Sequence, residues 1–134
     1  MSIEERVHDT HNGETVIPVD GIVPFEFEYS NETDNAQDKK LGTALLELHW
    51  GDAIGYLAKT DDGYDLIDPT DGRHVPVEGV TSIGRKTGND YQISEQDNTA
   101  SREHGYVLAN ENIIRVGDGS TNGTRTIHYR DTDR

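Results

Sequence analysis

The stretch 83–124, IGRKTGNDYQISEQDNTASREHGYVLANENIIRVGDGSTNGT, decides how this chain is read. It holds three polar clusters. Gly84-Arg85 comes first, followed shortly by Asn89-Asp90. Ser101-Arg102-Glu103-His104 is second, and Asp118-Gly119-Ser120-Thr121-Asn122-Gly123-Thr124 is third. Between them lie short apolar runs: Tyr91-Gln92-Ile93, residues 105–109 and residues 113–116. Turn-forming residues between short β-branched and aromatic runs mark loops that join strands. An arginine, a serine–arginine pair and a threonine–asparagine pair therefore fall in three loops. Loops meeting at one rim would present them to a single tetrahedral anion.

The same alternation extends upstream. Asp61-Asp62-Gly63 and Asp71-Gly72 are hairpin signals, flanked by strand-like residues 53–58, 64–67 and 73–77. Residues 80–83 are short and β-branched, and Asn110-Glu111-Asn112 joins the last two runs. Val16-Ile17-Pro18-Val19 and residues 22–29 carry period-two alternation, with Pro18 and Pro24 placing the strand at an edge or splitting it. Residues 43–50 suit a strand or a short helix, since the period does not decide. Residues 30–40 read as a loop. Residues 1–15 are polar and aperiodic and are expected to be a flexible segment ahead of one domain, 16–134. Short strands at this spacing predict an all-β, antiparallel β-sandwich.

The chain has 134 residues, enough for one core, and a formal net charge of −14. Excess negative charge argues against nucleic acid and anionic membranes as partners. Lysine is confined to Lys39, Lys40, Lys59 and Lys86. That balance suits adaptation to high salt as well as it suits an ordinary acidic protein. There is no cysteine, hence no disulfide or zinc–thiolate site. No leader-like or membrane-spanning apolar run is present, and a cytoplasmic location is expected. None of His8, His11, His49, His74 or His128 stands at a ligand spacing from His104, so neither metal nor cofactor is expected.

Taken in order, Gly-Arg, Ser-Arg-x-His and Ser-Thr-Asn-Gly-Thr resemble the forkhead-associated (FHA) domain, a module that binds phosphothreonine peptides. The resemblance covers residues 64–126 as a core motif. It implies that Arg85 is the main phosphate ligand, its planar fork meeting two oxygens. Ser101 and Thr121 would add donors, Arg102 a second charge, and Asn122 a contact to the peptide backbone. Gly84, His104, Asp118 and Gly123 would support the site. Lys86 would add long-range attraction. An upstream Ser/Thr kinase is implied by the ligand.

Two features depart from the family pattern. The loop 93–101 looks long and carries Glu95 and Asp97, which would disfavour acidic residues beside the phosphothreonine. The strands that usually follow Asn-Gly-Thr are missing, whereas Leu48-His49-Trp50-Gly51-Asp52-Ala53-Ile54 resembles that missing segment upstream. Residues 16–58 would then supply those strands in a circularly permuted order. Truncation, or an unrelated N-terminal extension, is the alternative. As to function, a phosphothreonine-binding interaction module leads. A structural interaction sandwich without phosphate dependence is second. No enzyme is expected, because the sequence has neither a phosphate-cradling loop nor a nucleophile elbow. Ser101 with His104 could only mimic a nucleophile and its base.

Overall fold

The computed structural model describes residues 2–30 and 39–132, so most of the loop expected at 30–40 lies outside the described residues. Thirteen strands are seen among them, and no helix. In chain order they are β1 (Ile3–Thr10), β2 (Glu14–Pro18), β3 (Phe25–Ser30), β4 (Lys39–Ala44), β5 (Leu46–Trp50), β6 (Ala53–Lys59) and β7 (Tyr64–Ile67). Next come β8 (His74–Pro76), β9 (Thr81–Gly84), β10 (Tyr91–Gln92), β11 (Gly105–Ala109), β12 (Ile113–Asp118) and β13 (Thr124–Asp131). One sheet has the order β1-β13-β5-β6-β7-β8, and the other β10-β9-β11-β12-β2. The all-β sandwich is as expected. Its pairing is antiparallel except for β10, which runs parallel to β9 over two residues.

Period-two patterning builds the core. In β5, Leu46, Leu48 and Trp50 point inward and are fully buried, while Glu47 and His49 face out. Leu57 and Leu66 continue that layer across β6 and β7. Ile83, Val107, Ile114, Val116 and Ile17 meet it from the other sheet. Each such side chain removed from water stabilises the fold by about 1.5–3 kcal/mol. The turns follow their residues. Thr60 N donates to Gly63 O at the Asp-Asp-Gly hairpin, and Asn110 Oδ1 accepts from the N–H groups of Asn112 and Ile113 between β11 and β12.

One expectation is corrected, and two open readings are resolved. Within the expected flexible segment, residues 3–10 form β1, which pairs with β13 along its whole length, from Ile3↔Asp131 to Thr10↔Thr124, and Glu14 begins β2, which pairs with β12. The least exposed positions of β1 are the polar His8 and Thr10, while Ile3 and Val7 are exposed, so hydrophobic periodicity cannot reveal this strand. The apolar run after Val16, for which Pro18 and Pro24 imply an edge position or a split, shows both. It is split: β2 is an edge of the five-stranded sheet, whereas β3 pairs with β4 in a separate two-stranded sheet. That sheet lies on the outer face of β6 and β7, where Phe27 stacks on Tyr56 at 4.2 Å and packs with Ala58 and Ile67. Residues 43–50, which suit a strand or a short helix, are strand: they contain the end of β4 and all of β5, joined at Leu45.

Upstream of the motif, β5 and β6 lie in the six-stranded sheet beside β13. β5 pairs with both β13 and β6, and the residues 22–23 meet β13 through the Ile22↔Arg130 bridge and the hydrogen bond Val23 N to Tyr129 O.

Candidate functional site

Three loops meet at one end of the sandwich: β9–β10, β10–β11 and β12–β13. Arg85 follows β9 directly. Its backbone N donates to Ser101 O at 3.1 Å, and its Nε donates to Ala100 O at 2.6 Å. The guanidinium is thus anchored on one side. Its two Nη groups have no hydrogen-bond partner among the described residues. Ser101 Oγ accepts from Thr121 N at 3.1 Å, which ties the second loop to the third. The hydroxyl proton of Ser101 then remains available to a ligand oxygen, since the bond from Thr121 uses a lone pair.

Asn122 is exposed and donates its Nδ2 to Thr99 O at 2.8 Å, so one of its amide protons steadies the second loop. Thr121 and Arg102 are exposed. Arg85, Ser101, Thr121 and Asn122 are therefore gathered on one rim by direct hydrogen bonds among their loops. The side chain of Arg102 points to solvent, while its backbone carbonyl accepts from Lys86 N and from Asn89 Nδ2, both at 3.0 Å. Lys86 pairs with Glu103 at 3.5 Å, an exposed pair of little energetic weight.

Of the supporting residues, Gly84, His104 and Asp118 are buried and Gly123 is half-buried. His104 has no exposure. Ser101 N donates to its Nδ1 at 3.0 Å, so the ring proton sits on Nε2, which donates to Gly123 O at 2.9 Å. One imidazole thereby links the second and third loops. Burial pushes its pKa below the ordinary histidine range, against the opposing pull of the Gly123 hydrogen bond and Asp118. This bonding also answers the nucleophile question. Nδ1 serves a backbone N–H, and the Ser101 hydroxyl faces Thr121, so no serine–histidine pair is formed.

Asp118 accepts from Ser120 Oγ at 2.6 Å, Thr124 Oγ1 at 2.8 Å, Asn12 N at 3.0 Å and Ser120 N at 3.2 Å. Burial pushes its pKa up, but the bonds from Ser120, Asn12 and Thr124 outweigh burial and hold the carboxyl below its usual range. Gly123 has φ +86°, a left-handed conformation that glycine adopts without strain. At Gly84 the reason is space. A Cβ there would lie 2.1 Å from Arg102 O and 2.8 Å from Asn89 Nδ2.

Some residues of the site escaped the sequence reading. Asn89 Nδ2 bridges Lys86 O and Arg102 O. Thr99 uses its Oγ1 to accept from Asp52 N and its carbonyl to hold Asn122. Ser120 Oγ also accepts from Gly123 N. The only advance signals were the position of Asn89-Asp90 after a turn and of Ser120 two residues after an aspartate, where local side chain–backbone bonds are common. A hollow of 420 Å³, lined in part by His11, His49, Asn122 and Arg125, adjoins the rim.

A search of curated proteins found no match, and a search of solved structures found none. The family model of the FHA domain matches residues 81–129, the stretch that carries Arg85, Ser101, Thr121 and Asn122, and the resemblance drawn from the motifs is borne out there.

Proposed function

We propose that this chain recognises phosphothreonine on a protein partner and so joins that partner after a Ser/Thr kinase has acted. FHA domains are in general phosphopeptide-binding interaction modules, and the residues of this rim suit a dianion. The observation that carries the reading is the paired anchoring of Arg85 and Ser101. Ala100 O holds Nε, Thr121 N holds the Ser101 oxygen, and the groups left over are all donors. Donors fixed before the ligand arrives lose little entropy on binding, and charge-assisted bonds to phosphate are the strong ones. Thr121 and Asn122 stand beside them to meet the phosphate and the peptide backbone, and Arg102 adds charge from the rim.

The surroundings support a non-acidic flank for the phosphothreonine. Asp97 shares a 530 Å³ hollow with Asp52, Asp68 and Asp71. A peptide library in which acidic flanks dominate would count against this preference.

The test is a titration with one peptide in its phosphothreonine, phosphoserine and unphosphorylated forms. The phosphothreonine form should bind best, with phosphoserine weaker by about 1 kcal/mol for the missing methyl. Arg85→Ala should lower phosphopeptide affinity roughly a hundredfold. Equal affinity for phosphorylated and plain peptides would instead indicate an interaction sandwich without phosphate dependence.

A further inference from the structure

A second basic feature lies away from the recognition rim. β1 and β2 are the edge strands of their respective sheets, and the cleft between them opens a 220 Å³ cavity. Its walls are Arg6 and His8 from β1, His128 and Arg130 from β13, and Val16, Ile17 and Pro18 from β2. Among the described residues no carboxylate lines it, in a chain of formal charge −14. Pairing places Arg6 opposite His128 and His8 opposite Thr126. The rings of His8 and His128 stack at 5.3 Å and 7°. A hydrogen bond between Thr10 and Thr15 joins the two strands toward the rim end of the cleft.

His128 is the telling residue. It is 1% exposed, and neither ring nitrogen has a hydrogen-bond partner among the described residues. Buried polar groups without partners are costly, and each asks for an explanation. Arg130 donates to Pro18 O at 2.6 Å and Asp20 O at 2.8 Å, which fixes its guanidinium at the mouth. Arg6 reaches the cavity from the exposed edge, where its Nε pairs with Glu4 at 2.8 Å. Two imidazoles would suit a metal ion, but two guanidiniums in the same cavity repel a cation. The volume is below the ~300 Å³ at which sites for larger organic ligands begin.

We propose that this cleft is a second anion site that takes a small tetrahedral oxyanion, either free phosphate or a phosphoryl group on a partner's side chain. His128 supplies an N–H from the floor, His8 a second ring, and Arg6 and Arg130 the charge. Burial, with the charges of Arg130, His8 and Arg6, pushes His128 down to about 4. Its ring is therefore neutral at pH 7, and an anion would offset those three neighbours.

The experiment uses the full chain carrying Arg85→Ala, which silences the recognition rim. Histidine ring resonances are followed by NMR while inorganic phosphate replaces chloride at constant ionic strength and pH. Saturable shifts of His8 and His128 are expected. Adding Arg6→Gln, at an exposed edge position, should weaken the titration about fivefold. A phosphothreonine peptide, titrated in parallel, separates the sources: tighter binding than phosphate at these two rings marks a side-chain phosphoryl group, and weaker binding marks the free anion. Rings that do not move at tens of millimolar phosphate, or a titration unchanged by Arg6→Gln, would overturn the proposal.

Discussion

His104→Leu isolates the link between the second and third recognition loops. Leucine fills nearly the same space, so the change removes two hydrogen bonds without opening a large cavity. Ser101 N–H and Gly123 C=O lose their partner. Each orphaned, partly buried group costs about 1–2 kcal/mol, roughly 3 kcal/mol for the pair. The extra apolar burial of leucine returns about 1 kcal/mol. The net loss is about 2 kcal/mol, which for a domain of this size lowers the melting temperature by about 8 °C. Binding should suffer separately. Ser101 and Thr121 sit on loops that this ring holds in register, and a displacement of their donors should weaken a phosphothreonine peptide roughly tenfold. Thermal unfolding and a peptide titration well below the melting temperature measure the two effects independently. An unchanged melting temperature together with unchanged affinity would refute the bracing role. A lower melting temperature with unchanged affinity would confine His104 to stability.

Other perturbations test neighbouring parts of the argument. Gly84→Ala drives a Cβ to within 2.1 Å of Arg102 O; the strain should cost about 1–3 kcal/mol in denaturant unfolding and weaken peptide binding with it. Asp118→Ala leaves Ser120, Thr124 and Asn12 without their shared acceptor and should cost about 3 kcal/mol by the same measurement. For His128 the folded pKa is about 4 against an ordinary 6.5. The unfolded chain therefore takes up the proton first, and the stability that depends on neutral His128 is complete above pH 6.5 and lost as pH falls toward 4. His128→Phe should flatten the pH dependence of unfolding in that window, and a slope identical to that of the parent protein would contradict the assignment.

Much of this architecture was legible because the residues that make turns also make strands end. Asp-Asp-Gly at 61–63 and Asn-Glu-Asn at 110–112 both close hairpins, and β5 shows its buried face as Leu46, Leu48 and Trp50. What escaped notice lacks such a local mark. β1 points Arg6 and His8 into a cleft, so no apolar stripe announces it. β3 has a clear stripe, yet a stripe says only that one face is covered, and here the cover is the outside of another sheet. At the site, Arg85, Ser101, Thr121 and Asn122 stood out through motif order. Asn89 and Thr99 did not, because they act through backbone carbonyls that any residue could present, and only the folded loops bring those carbonyls within reach.

Because β1 and β13 run side by side, the chain enters and leaves the sandwich at one point, where Thr132 N donates to Ser2 O. Thr10 and Thr124, at the other end of these strands, lie beside the recognition loops. Eight residues of strand separate the two ends, about 23 Å. A tether, tag or neighbouring domain fused at either terminus would thus hang from the pole opposite the loops that carry Arg85, Ser101 and Thr121. Immobilising the protein by either end should leave the proposed recognition surface turned outward, toward whatever is offered to it.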